Sequence, residues 1–208
     1  IVYIHDTANV IIKNLTIDGA GRGNSNVAFV GVAFRNAGGT IDNSEIKDIR
    51  ETPLNGNQHG VAIYALNDIG TNHNVIVTNN TISGYQKNGM ALNGANTVAT
   101  VRGNTVTGAG NTLLTAQNGI HIWGGVGTIT GNTVSGNFWT GTYGGTNDTT
   151  SDTNADGAAG ILLYESVGTV EVNNNTLSNN QYGIWTVAAN AVNIHNNVVN
   201  GSANSIGV

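Results

Sequence analysis

Val77-Thr78-Asn79-Asn80-Thr81-Ile82 is the stretch that decides the fold. A β-branched residue opens it, an Asn pair turns it, and an apolar residue closes it after an exposed Thr. The same signature returns at 101–106, 129–134, 172–177 and 194–199, with weaker copies at 12–17 and 41–46. The closing residues are Ile17, Ile46, Ile82, Val106, Val134, Leu177 and Val199, spaced by 29, 36, 24, 28, 43 and 22 residues. A basic unit of 22 to 24 residues with insertions at fixed corners explains that set. Fixed-period self-similarity is the mark of stacked repeats, each burying an apolar face against its neighbours.

A second signature lies between the first. Gly31, Gly60, Gly89, Gly119, Gly160 and Gly183 each lead a short apolar-alternating segment such as Gly119-Ile120-His121-Ile122. Period-two alternation with β-branched residues predicts strands, and the Gly/Asn clusters between them predict turns. Each unit then carries three short strands, and like positions of successive units stack about 4.8 Å apart. Two columns follow. Ile12, Ile41, Val77, Val101, Ile129, Val172 and Ile194 stack in the core. Asn80, Asn104, Asn132, Asn175 and Asn197 occupy one turn, where Asn tolerates a left-handed backbone and its amide bonds along the ladder.

These units resemble the right-handed parallel β-helix repeat family, the superfamily of pectate lyases and mannuronan C5-epimerases. The resemblance covers essentially the whole chain. It implies an all-β fold, a single-stranded right-handed parallel β-helix (β-solenoid) of about seven coils with three short strands each. It also implies a secreted or cell-surface setting and polysaccharide as partner. It transfers no catalytic signature residue by residue, and the paired aspartates of a polygalacturonase-like hydrolase have no counterpart on these strands. Function resides in sites rather than folds, so the outward face has to be read directly.

Composition narrows the partners. Seven Lys and Arg against twelve Asp and Glu give a net charge of −5, which argues against nucleic acid. No apolar run approaches the ~20 residues of a membrane span. Zero cysteines exclude disulfide and thiol chemistry. The chain opens in a strand-like pattern at Ile1 to Ile4; for a secreted parent, the leader is expected either to have been removed or to lie outside this sequence. One domain over 1–208 accommodates the length, with insertions at 47–59 and 135–159. Neither end carries a cap, which points to a piece of a longer chain or to end-to-end self-association, as in a filament or adhesin.

In the Gly-led segments, residues one and three after the glycine are expected inside and residues two and four outside. The outward fourth positions are Arg35, Tyr64, Asn93, Trp123, Tyr164 and Val187; the second positions include His121 and Trp185. Tyr64, Asn93, His121, Trp123, Tyr164 and Trp185 therefore form a candidate sugar-binding strip, since aromatic faces suit sugar rings and amides reach hydroxyls. A uronate lyase or C5-epimerase instead needs a cation on the carboxylate and a base at C5. Arg35 or Lys87 would supply the cation, and His59, Tyr64 or Lys87 the base. The enzyme reading requires these four to converge; the binding reading requires an aromatic strip without such a cluster. Finally, Asp152-Thr153-Asn154-Ala155-Asp156-Gly157 opens like half an EF-hand loop, with Asp148 as a further ligand, making calcium a candidate cofactor.

Overall fold

The computed structural model describes residues 2–141 and 157–207, and these form parallel strands and turns with no helix among them. Numbered in chain order, the strands sort into three sheets, one strand from each sheet per coil. Sheet A stacks β1 (Val2–His5), β4 (Val30–Arg35), β7 (Val61–Leu66), β10 (Asn88–Asn93), β13 (Asn118–Trp123), β16 (Ala159–Tyr164), β19 (Tyr182–Val187) and β22 (Asn204–Gly207). Sheet B stacks β2 (Val10–Lys13), β5 (Gly39–Asp42), β8 (His73–Thr78), β11 (Thr97–Arg102), β14 (Val126–Thr130), β17 (Thr169–Asn173) and β20 (Ala191–His195). Sheet C stacks β3 (Thr16–Asp18), β6 (Glu45–Lys47), β9 (Thr81–Ser83), β12 (Thr105–Thr112), β15 (Thr133–Trp139), β18 (Thr176–Ser178) and β21 (Val198–Asn200). Seven full coils result, as the repeat spacing predicts.

The predicted apolar columns are the core. Ile12, Ile41, Val77, Val101, Ile129, Val172 and Ile194 are register partners through sheet B, and Ile17 through Val199 are partners through sheet C. The middle coils bury these side chains completely. The Thr column of sheet C faces outward beside a second hydroxyl column, so that Thr105 and Thr107 of β12 lie next to Thr133 and Ser135 of β15.

The Asn column is a continuous amide ladder. Asn104 Oδ1 accepts from the backbone N–H and the side-chain amide of Asn80, at 2.9 and 3.0 Å. Asn132, Asn175 and Asn197 repeat the pattern one coil at a time. The left-handed residue is not the ladder Asn itself, however. It is the one before it: Asn43, Asn79, Gly103, Gly131, Asn174 and Asn196 have φ between 46° and 67°. That turn frees the next amide to point inward.

The Gly-led register needs one correction. Val61 pairs with Val30 and Asn88, so Ala62 rather than Gly60 stands in the glycine column, and Tyr64 lies beside Ala33 and Ala91. Tyr64 is thus in the column of His121 and Trp185, and Leu66 fills the place between Arg35 and Asn93. Positions two and three of these strands are both buried; β4 and β7 alternate after them, while β10 stays buried through its fifth residue.

Candidate functional site

The outer face of sheet A carries its aromatic side chains unevenly. In β13, β16 and β19 the register brings Trp123 beside Tyr164 and places Leu162 between His121 and Trp185. Trp123 meets the Tyr164 ring edge-on at 5.5 Å and donates its indole N–H to Glu165 Oε2 at 2.9 Å. It remains 47% exposed, so a face of the largest apolar ring stays in water while its orientation is fixed from two sides. His121 lies near-parallel to Trp123 at 6.4 Å. Tyr182 and Trp185 stack at 4.7 Å and 21°. The patch crosses three strands, about 10 Å, and runs about 16 Å along them.

Tyr182 was outside the predicted strip. Its one signal is its place directly before Gly183, and the structure leaves it half-buried against the Trp185 ring. Asn93, in the column of Trp123, is half-buried, and its side-chain oxygen is enclosed without a partner. His121 Nε2 is likewise enclosed and unpartnered. Burial, and then the Lys87 charge, push its pKa down to about 4, so at neutral pH the ring is uncharged. His121 therefore supplies a flat face rather than a charge.

The four candidates for uronate chemistry do not converge. Arg35 is paired with Asp68 at 3.3 Å, at the trailing edge of sheet A. Lys87 lies at the leading edge, next to Gly60 in register, and donates to the Ala116 carbonyl at 2.7 Å. Six residues of strand, about 20 Å, separate these edges. Tyr64 stands between them, on the outer face of β7.

His59 has a partner that the sequence did not disclose. Glu51, 6% exposed, accepts from His59 Nε2 at 3.0 Å. The Asn57 amide donates to both of its carboxylate oxygens, at 3.0 and 3.1 Å. This pair closes one side of an open cleft of about 520 Å³ between residues 19–29 and 48–60, the two loops that lead into β4 and β7.

The metal candidates Asp148, Asp152, Asn154 and Asp156 lie outside the described residues. Among the described residues no three His, Asp or Glu side chains are grouped to hold a metal, and no helix is long and apolar enough to cross a membrane.

A three-sheet parallel solenoid with an exposed aromatic patch on one sheet defines the class of protein. The family model for a right-handed β-helix region matches residues 1–139, and the chain belongs to that family. The match gives the solenoid its hand. No curated protein and no solved structure matches the chain.

Proposed function

We propose that this β-helix domain binds a polysaccharide, outside the cytoplasm, across the aromatic patch of sheet A, without turning it over there. The observation that carries this reading is Trp123, whose exposed ring is held rigid by Glu165 and Tyr164 in the middle of a row of flat side chains. Rigid aromatic anchors give up little conformational entropy on binding, and an elongated open face suits a polymer. The separation of Arg35, His59, Tyr64 and Lys87 works against a uronate lyase or epimerase at this face. The charges point to a neutral chain: Glu165 lies on the patch, Arg35 is bound to Asp68, and the Lys87 ammonium reaches a backbone carbonyl.

Affinity electrophoresis and tryptophan fluorescence titration against neutral and uronate polysaccharides, with and without calcium, test the reading. A neutral polymer should retard the protein and shift its emission. Trp123→Ala should weaken that binding at least ~10-fold, the scale of losing one aromatic anchor at an interface. The same substitution should leave the melting temperature almost unchanged, because the ring is half in water. No retardation by any polymer would refute the proposal, as would a Trp123→Ala variant that binds like the parent. Size analysis of the same samples reads end-to-end association.

A further inference from the structure

The cleft between the two leading loops is built with more care than a surface crevice needs. Thr52 donates its backbone N–H to Asn24 Oδ1 at 2.8 Å, and the Asn24 amide donates back to the Thr52 carbonyl at 3.0 Å. This reciprocal clamp holds residue 24 of one loop against residue 52 of the other. Beside it the backbones approach so closely that a Cβ on Gly23 would lie 2.0 Å from the Arg50 carbonyl oxygen. The floor is equally fixed. Gln86, fully buried, accepts from the Glu51 backbone N–H at 2.8 Å and donates to Asn55 Oδ1 and the Asn57 carbonyl.

Glu51 then has one face left, and His59 occupies it. A buried carboxylate is costly unless it is hydrogen-bonded, and here Asn57 and His59 supply three contacts. A carboxylate can only accept, so His59 donates to it through Nε2, and Nδ1 is the ring nitrogen that Glu51 leaves for other work. Nδ1 has no partner and is not enclosed, and the ring lines the cleft. Ser25 lines the same cleft, exposed, its hydroxyl unpartnered, on a backbone with φ of 66° that only a constrained non-glycine residue keeps. The next residue, Asn26, accepts from the Ala28 backbone N–H through Oδ1, which leaves its amide protons to the cleft.

We infer that Ser25, His59 and Glu51 form an ester-hydrolysing site, with Ser25 as nucleophile, His59 as general base and acid, and Glu51 as the positioning residue. Ser25 Oγ bonds to the ester carbonyl carbon as its proton passes to His59 Nδ1. The carbonyl oxygen takes up the negative charge, and the Asn26 amide and the unpartnered Val27 backbone N–H are the donors at hand for it. The carbon–alkoxy bond breaks, the departing alcohol oxygen takes the proton from His59, and the acyl group stays on Ser25. Water then gives a proton to His59 and its oxygen to the acyl carbon. The Ser25–acyl bond breaks, His59 returns the proton to Ser25, and the products are one alcohol and one carboxylic acid. Ser25 and His59 share no hydrogen bond in the free protein, and catalytic hydrogen bonds that are long or poorly aligned without substrate tighten when it binds.

The substrate class follows from the lining. The polar groups are amides and hydroxyls, no Lys or Arg lines the cleft, and the one carboxylate is satisfied internally. An uncharged short-chain carboxylic ester of a hydroxylated alcohol, such as an O-acylated sugar, fits; a phosphate ester or a free uronate does not. This inference stands apart from the sugar-binding reading, because the cleft lies in the first coils and the aromatic patch in the later ones.

The test is labelling with a fluorophosphonate probe, followed by peptide mass mapping, together with hydrolysis of p-nitrophenyl acetate and an acetylated sugar. The folded protein should be labelled at Ser25 and should turn over the esters. Ser25→Ala should lose both label and turnover by more than about 100-fold, and His59→Gln by a similar factor. Because Ser25 is exposed, Ser25→Ala should melt like the parent, which separates lost chemistry from lost fold. Glu51→Gln should lower kcat at least ~10-fold with KM unchanged, which a merely structural loss would not do. Labelling at another serine, no labelling and no turnover by folded protein, or full turnover by Ser25→Ala would each overturn the assignment.

Discussion

Asn132→Ala should lower the melting temperature by about 10–15 °C, measured by circular dichroism or calorimetry. Asn132 is 1% exposed and lies in the middle of the amide ladder. Its Oδ1 is the acceptor for the Asn104 backbone N–H at 3.0 Å and the Asn104 amide at 2.9 Å. Its own amide donates to the Val101 carbonyl at 3.0 Å and to Asn175 Oδ1 at 2.9 Å. Alanine leaves the Asn104 N–H buried with no acceptor, which costs roughly 1–3 kcal/mol by itself. The other lost bonds add roughly 0.5–1.5 kcal/mol each, and the vacated amide leaves a small void. About 4 kcal/mol is a large loss for one turn residue and belongs with the severe class of substitutions. The neighbouring column supplies the control. Asn174 has a φ of 56°, and its equivalents Gly103 and Gly131 are glycines, so Asn174→Gly should change stability by no more than about 0.5 kcal/mol. Equal losses from Asn132→Ala and Asn174→Gly would show that the ladder contributes no more than an ordinary turn.

Why the sequence discloses one ladder and hides another follows from where the insertions fall. Asn80 to Asn197 sit inside an unbroken signature flanked by β-branched residues, so spacing alone aligns them. Asn137 and Asn180 make the same pair of hydrogen bonds, at 3.1 and 3.0 Å, and Tyr85 donates to Asn137 at 2.6 Å. Their separation is the same 43 residues that divides Asn132 from Asn175, yet the sequence reads everything from Ser135 as insertion, although β15 runs on to Trp139, and so the match is obscured. The β7 register fails for a related reason. Gly60 imitates the leading glycine of the other coils, but it has its own duty: its φ is 80°, and a Cβ there would lie 2.6 Å from Gln86 Cβ. Ala62 takes the buried column instead, and because this is a shift of two residues, Tyr64 keeps its outward face but moves to a different column. The Glu51–His59 pair lies furthest from what a sequence can show. Both residues belong to an aperiodic loop, and what joins them is the way that loop folds back on Gln86.

His121 sets the second large expectation, a loss of stability in mild acid that a single substitution removes. Its Nε2 is enclosed without a partner although part of the ring reaches solvent, and the neighbouring ammonium of Lys87 adds to the cost of protonating it. The folded pKa of about 4 lies below the ordinary 6.5, so between those values the unfolded chain binds the proton and the native state does not. Stability from this group is therefore complete above about pH 6.5, falls as the pH drops, and is exhausted near pH 4, with a span of about 3 kcal/mol. Leu162 occupies the same outward column one coil further on, so His121→Leu places a side chain the column already accepts and removes the titration. Asp42, whose carboxyl the Thr78 hydroxyl and Asn79 amide hold below the usual carboxylate value, destabilises both proteins alike in acid and cancels in the comparison. At pH 7 the two should melt within a few degrees of each other. At pH 4.5 the parent should have fallen by about 6–10 °C more than His121→Leu. Parallel melting curves from pH 7 to pH 4 would mean that the imidazole finds water or a partner in solution, and that the face beside Trp123 is wetter than the packing of β13 against β16 implies.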